Sequence, residues 1–111
     1  MTTKERIYNA LSTLGLPLAY ADSDLSQLPR LNYILTYNPT IRKSNKRHSR
    51  RPIYQVDYFS NQAEDVESSE KLDQILNCLE EAGLMAQEFR ESITPEEDEN
   101  RTYYHYWTVV Q

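Results

Sequence analysis

The segments "RLNYILTYN" (residues 30–38) and "PIYQVDYFS" (residues 52–60) have the clearest β-strand pattern in the chain. Each places apolar or aromatic residues at every second position, which is typical of a β-strand with one buried face. In the first segment these residues are Leu31, Tyr33, Leu35 and Tyr37, and in the second they are Tyr54, Val56 and Tyr58. We expect the two strands to pair as a hairpin.

The connection between these strands, residues 41–52, is strongly basic in an acidic chain. Between residues 42 and 51 it holds six Lys or Arg, one His and no acid, whereas the whole chain has a net charge of −5. The other 101 residues therefore sum to −11, and residues 64–99 hold thirteen acids against two bases. Such asymmetry indicates a chain that binds oppositely charged surfaces, including the surfaces of other copies of itself. A general nucleic-acid binder is instead usually basic over its whole domain.

Two helices are predicted from their apolar periodicity. The first follows a capping-box pattern at Thr2 and Glu5 and ends before Gly15. Its apolar stripe is Ile7, Ala10, Leu11 and Leu14. The second is predicted over residues 63–83, with the stripe Leu72, Ile75, Leu76 and Leu79 and with acids near its start.

Three further strands complete the prediction. They are "LPLAYA" (residues 16–21), "LMAQEFRES" (residues 84–92) and "YYHYWTVV" (residues 103–110), with a turn-rich acidic loop over residues 94–102. The last strand is apolar on both faces, which indicates a buried position or an interface edge. We expect one α+β domain over residues 1–111, with a mainly antiparallel four- to five-stranded sheet, two helices on one face and a long basic hairpin loop at 41–52.

No catalytic or metal-binding set stands out in the sequence. His48 and His105 lie in the basic segment and in a strand, away from any cluster of ligands. The single cysteine, Cys78, lies beside a helical apolar stripe and is expected to be a buried, inert thiol. Only two glycines occur, so there is no glycine-rich phosphate loop. We expect a protein without catalytic activity, metal or cofactor.

Asp57 is unusual because it lies in the middle of a predicted strand, where Asp is disfavoured. An edge or solvent-facing position would explain it. A polar contact with a neighbouring subunit or with the basic segment is the alternative.

The compartment is suggested by what the sequence lacks. One cysteine permits no internal disulfide, which fits a reducing environment. No apolar run approaches the roughly 20 residues of a membrane span, and the first residues lack the apolar core of a signal peptide. We expect a soluble protein made in a cytoplasm, with no membrane contact.

The order of these segments resembles that in the tail-terminator, or tail-completion, proteins of long-tailed bacteriophages and prophages. The resemblance runs over residues 5 to 110, and its most telling piece is "YQVDYFS", followed by a turn and a second amphipathic helix. The other pieces are "IYNALSTLGLPLAY", "LPRLNYIL", "EKLDQILNCLEEAGLMAQEF", an acidic loop and "YYHYWTVV". The dense basic segment is not a known trait of that family.

The resemblance implies an α+β fold and a structural role in the virion, at the head-proximal end of the tail. Proteins of this family assemble in the host cytoplasm as hexameric rings on the tail tube, stop its polymerisation and present a surface to the head-completion or stopper protein. Several are monomers before they reach the tail, and none needs a cofactor. As subunit-interface candidates we take Asp57, Tyr58, Glu97, Asp98, Glu99, Tyr104 and Tyr106.

The basic segment then needs a partner, because six copies in a ring would repel one another. The candidates are the tube protein, the acidic 96–99 loop of the adjacent copy, or DNA passing through the channel, and a loop that is merely solvated is the remaining alternative. The contacting residues would be Arg42, Lys43, Lys46, Arg47, His48, Arg50 and Arg51. Another head–tail connector, a nucleic-acid-binding module that also uses Tyr37, Tyr54 and Tyr58, and a small regulatory protein are the rival interpretations.

Overall fold

The structure is a computed structural model that describes residues 1–22, 26–38, 40–43, 46–92, 96–98 and 101–111. For residues 40–43, 46–50, 96–98 and 101–102 the description covers the backbone. The elements in chain order are α1 (Thr3–Ser12), β1 (Leu18–Tyr20), β2 (Arg30–Tyr37), β3 (Thr40–Lys43), β4 (Lys46–Arg50), β5 (Ile53–Ser60), α2 (Glu70–Glu81), β6 (Arg90–Glu91), β7 (Glu96–Asp98) and β8 (Arg101–Val110).

The main sheet is mixed rather than wholly antiparallel. Within the described residues its strands follow the order β1-β2-β5-β8-β6, and β7 pairs with the start of β8. All pairs are antiparallel except β1 and β2, which run parallel with Leu18 opposite Leu31. The α+β class is confirmed, and the prediction of a mainly antiparallel sheet is confirmed in part, because β1 pairs parallel with β2. β2 therefore begins at the same end of the sheet as β1.

The start of α1 was predicted correctly. The Thr2 side chain accepts a hydrogen bond from the Glu5 N–H (3.1 Å), and a Glu5 carboxylate oxygen accepts one from the Thr2 N–H (3.2 Å). These bonds use backbone donors that a helix start leaves unpaired. Gly15 follows the helix with φ of +72°, a left-handed conformation that favours glycine.

Helix α2 is shorter than predicted because Ser69 caps it. The Ser69 hydroxyl accepts a hydrogen bond from the Leu72 N–H (3.2 Å), while its own N–H donates to the Asp65 carbonyl (2.8 Å). The helix therefore begins at Glu70, and Asp65 and Glu67 lie in the preceding turn. The predicted apolar stripe is confirmed, since all four of its residues are buried.

Both helices pack on one face of the sheet, as predicted. Ile7 and Leu11 of α1 and Leu79 of α2 are fully buried in one cluster with the sheet. The sheet contributes Leu31, Tyr33, Tyr54, Val56, Tyr58, Tyr106 and Val110 to that cluster. Each fully buried aliphatic side chain stabilises the fold by about 1.5–3 kcal/mol, so this single layer is the main source of stability.

The basic segment is a paired ribbon rather than a loop. β3 and β4 pair antiparallel, with Thr40 opposite Arg50 and Lys43 opposite Lys46, as a two-stranded sheet separate from the main one. Residues 44 and 45 lie outside the described part of the chain. Pairing satisfies backbone N–H and C=O groups that an open loop would leave to water. The hairpin of β2 and β5 therefore continues beyond the main sheet as an arm, which we call the basic ribbon (residues 40–51).

The second half of the sheet also departs from prediction. The strand expected over residues 84–92 is reduced to β6 and one isolated bridge between Ala86 and Val110. The expected acidic loop contains β7, which pairs with β8 so that Glu96 is opposite Tyr103. β8 lies between β5 and β6, so the buried position expected of it is confirmed and it is not an edge strand.

Candidate interaction surfaces

Asp57 lies at the centre of a polar network on the sheet face that the helices leave open. It is 4% exposed. Gln55 Nε2 donates to its Oδ1 (2.7 Å), His105 Nε2 lies 2.7 Å from the same oxygen, and Asn32 Nδ2 donates to Oδ2 (3.4 Å). A buried carboxylate is tolerated only when donors surround it, and here three strands supply them. Neither an edge position nor a solvent-facing one explains Asp57.

His105 connects this network to the end of β6. Its Nδ1 lies 3.4 Å from the Ser92 Oγ, and Phe59 stacks on its ring at 4.5 Å with an interplanar angle of 16°. Ser92, His105 and Asp57 are the residue types of a nucleophilic triad. The serine contact is nevertheless at the long limit of a hydrogen bond, and the aromatic ring covers one face of the imidazole. The short bond is the one to Asp57, which suits a network that holds β5, β8 and residue 92 together.

An exposed aromatic corner lies where β1 and α1 meet β2. Four of the large hydrophobic residues that are exposed belong to it: Tyr8 (52%), Tyr20 (38%), Leu35 (37%) and Tyr37 (62%). The Tyr20 hydroxyl accepts a hydrogen bond from the Leu35 N–H (3.2 Å), and Lys4 Nζ lies 3.9 Å from the Tyr20 ring centre. A groove of about 390 Å³ between Tyr8 and Tyr33 adjoins it. Exposed tyrosines of this kind are typical of protein-contact surfaces.

Most of this corner was not predicted from the sequence. Tyr8 was visible in principle, since it falls outside the apolar stripe of α1 and so had to face away from the core. Tyr20 and Leu35 carried no such signal. β1 pairs only with residues 31–33 of β2, and Leu35 is exposed although it lies on the apolar face of its strand.

Most of the charged contact residues that were predicted fall into two groups at opposite ends of the sheet. Tyr37 is opposite Ile53 at one end, where the basic ribbon begins. Ser60 is opposite Tyr104 at the other end, and beyond it β8 pairs with β7. The structure thus brings together the basic residues in the ribbon, and separately brings Glu97 and Asp98 to the far end. Glu99 lies outside the described residues.

The remaining interface candidates are mostly inside the chain. Asp57, Tyr58 and Tyr106 are 4% or less exposed, and Tyr104 is partly buried against the core. Burial is the main cause that raises the pKa of Tyr58 and of Tyr106. These three buried residues affect a subunit interface only through the residues that cover them.

The end of the sheet that carries β7 has further acids whose side chains are described. Asp65, Glu67, Glu70 and Glu91 are exposed there. The Tyr106 hydroxyl fixes the turn that precedes α2, because it accepts from the Glu64 N–H (2.6 Å) and donates to the Glu64 carbonyl (3.0 Å). We call this surface, residues 64–70, Glu91 and β7, the acidic end.

The described residues contain no group of three or more His, Cys, Asp or Glu side chains placed to hold a metal ion. Burial raises the pKa of the Cys78 thiol, and the nearby Glu81 adds to the rise. The neutral thiol is therefore favoured at neutral pH, which makes it a poor nucleophile.

Among the residues that the structure describes, no helix has the length and apolar character needed to cross a membrane. A search of protein-family models finds none that matches the chain, and a search of curated proteins finds no match either.

Proposed function

We propose that this chain is a structural protein of a phage tail, which caps the tail tube as a ring, ends tube polymerisation and offers the surface that joins the head. The proposal begins from the resemblance of residues 5 to 110 to tail-terminator proteins. The α+β fold with both helices on one face agrees with the fold that this resemblance implies.

The observation that carries the proposal is the basic ribbon at the end of the β2–β5 hairpin. It is a paired arm outside the main sheet, and it carries six positive charges in a chain with a net charge of −5. An arm of this kind is suited to reach another subunit, where charge complementarity sets the rate and register of docking. The exposed aromatic corner at its base supports a protein as the partner.

A nucleic-acid-binding module is less well supported. Base stacking needs open aromatic faces beside the basic residues. Tyr54 and Tyr58 are 6% and 2% exposed, so of the three tyrosines considered for this role only Tyr37 is available. Transient contact with DNA in the channel remains part of the proposal only as a minor role of the ribbon.

The test is removal of the gene from a phage or prophage that encodes the chain, with electron microscopy of the particles. We expect tubes of abnormal length and heads that remain unjoined, both restored by the wild-type chain supplied in trans. Tails of normal length that fail to join heads would favour a different connector. Normal, joined particles without the chain would contradict the proposal.

A further inference from the structure

The two hairpins of this fold extend from opposite ends of one sheet and carry opposite charge. The basic ribbon continues from the end where Tyr37 is opposite Ile53. The β7–β8 hairpin continues from the end where Ser60 is opposite Tyr104. The ribbon has Arg42, Lys43, Lys46, Arg47, Arg50 and Arg51, and β7 has Glu96, Glu97 and Asp98.

The separation of the two ends prevents their pairing within one chain. Strand β5 runs the whole distance between them over eight residues, which corresponds to about 25 Å at 3.3 Å per residue. That length is about three times the screening distance of roughly 8 Å at physiological ionic strength. Each charged end is therefore available to another molecule rather than neutralised by the other.

The acidic end is a built surface rather than a free tail. Tyr106 holds the backbone of Glu64 through both of its hydrogen bonds, and Ser69 Oγ donates to a Glu64 carboxylate oxygen (2.9 Å). Asp65, Glu67 and Glu70 are exposed along this turn and at the first residue of α2, and Glu91 is exposed opposite Tyr106. The acids of this turn are thus held against the core of the fold.

We propose that copies of this chain associate head to tail, with the basic ribbon of one copy docked on the acidic end of the next. This deepens the proposed function, since it names the contact that would build its ring. A symmetric pair that uses the same charges would lie antiparallel, with each ribbon on the acidic end of the other copy, and sedimentation velocity distinguishes it because it stops at two chains. A head-to-tail contact is heterologous, and such contacts close into rings when the rotation permits.

The test uses purified chains and two complementary charge reversals. One variant changes the six ribbon residues Arg42, Lys43, Lys46, Arg47, Arg50 and Arg51 to Glu, and the other carries E96K, E97K and D98K. We expect the wild type to self-associate in low salt and to dissociate as salt is raised, by sedimentation velocity. Each variant alone should associate at least about 100-fold more weakly than the wild type, because several pairs of opposite charges become pairs of like charges.

Mixing the two variants is the decisive step. The acidic ribbon of the first then meets an end whose β7 carries three lysines and which is six charges less negative, and the unchanged basic ribbon of the second meets the unchanged acidic end of the first. We expect association to return in the mixture, which also shows that both variants are folded. Two variants that remain separate when mixed would overturn the proposal.

The matched control carries E80K, E81K and E88K. It makes the same change of net charge at exposed positions outside the acidic end. We expect this control to associate as the wild type does. An equal loss in the control, or a wild type that stays monomeric in low salt at its solubility limit, would overturn the head-to-tail contact. Neither result depends on tail completion, so the failure of this contact is distinguishable from the failure of the proposed function.

Discussion

At the scale of single residues, Asp57 could be recognised from the sequence, but its hydrogen-bond partners could not. The sequence marks it as unusual, since an acid in the middle of a strand needs an explanation. It does not name the partners, because Asn32 and His105 are 25 and 48 residues away and meet Asp57 only through the strand register. For the same reason His105 was expected to be an ordinary strand residue.

We predict that Asp57→Ala destabilises the protein by about 2–4 kcal/mol, because it leaves the buried donor of Asn32 and the partly buried donors of Gln55 and His105 without their acceptor. Urea unfolding followed by circular dichroism measures the change. Asp65→Asn, at an exposed position, is the control and should stay within about 0.5 kcal/mol of the wild type. An equally small effect for Asp57→Ala would show that the network contributes little.

The same network gives a test of the expected lack of catalysis. We predict that a fluorophosphonate probe leaves Ser92 unlabelled, because the 3.4 Å contact and the covered imidazole do not activate the hydroxyl. Intact-mass spectrometry of the wild type after incubation, beside Ser92→Ala, measures it. Stoichiometric labelling that disappears in Ser92→Ala would reverse this conclusion and point to an acyl-transfer enzyme.

At the scale of elements, the apolar periodicity predicted both helices and the long strands, but it did not predict the residues at which they begin and end. The acids at Asp65 and Glu67 looked like the start of α2, although Ser69 caps the helix and the Tyr106 hydroxyl holds the turn before it. A contact between residues 64 and 106 has no local signature. β3, β4 and β7 were missed because their charged sequences read as loops, and only their pairing makes them strands.

We predict that Ser69→Ala lowers the free energy of unfolding by about 1 kcal/mol, because the Leu72 N–H at the start of α2 loses its acceptor. Ser68→Ala is the matched control, since Ser68 is exposed in the turn before the cap, and it should lie within about 0.5 kcal/mol of the wild type. Chemical denaturation of the three proteins provides the comparison. Equal stabilities for the two variants would contradict the assignment of the cap.

At the scale of the whole molecule, the α+β class and the layer of two helices could be predicted because the pattern of elements restricts the architecture. The parallel pairing of β1 could not, since residues 21–29 carry no period that shows how the chain returns. The charge asymmetry was plain in the sequence. Its placement at two opposite ends follows only from the pairing of β5 with β8, which joins strands more than 40 residues apart.

We predict that reversal of the six ribbon charges leaves the fold intact and abolishes tail completion. The ribbon pairs outside the main sheet and belongs to a separate two-stranded unit, so the hydrophobic core is unaffected. Thermal unfolding tests the first part, and the count of joined particles after complementation tests the second. If the variant yields as many joined particles as the wild type, the ribbon has no role in assembly.

We propose that the chain lies at the head-proximal end of the tail, and locating it on intact particles tests this position. A short tag after Gln111, which is exposed, allows gold labelling of purified tails and joined virions under the electron microscope. We predict label at one place, the head-proximal end of the tube, and mass spectrometry should count about six copies for each tail. Label spread along the tube, or particles that contain none of the chain, would contradict it.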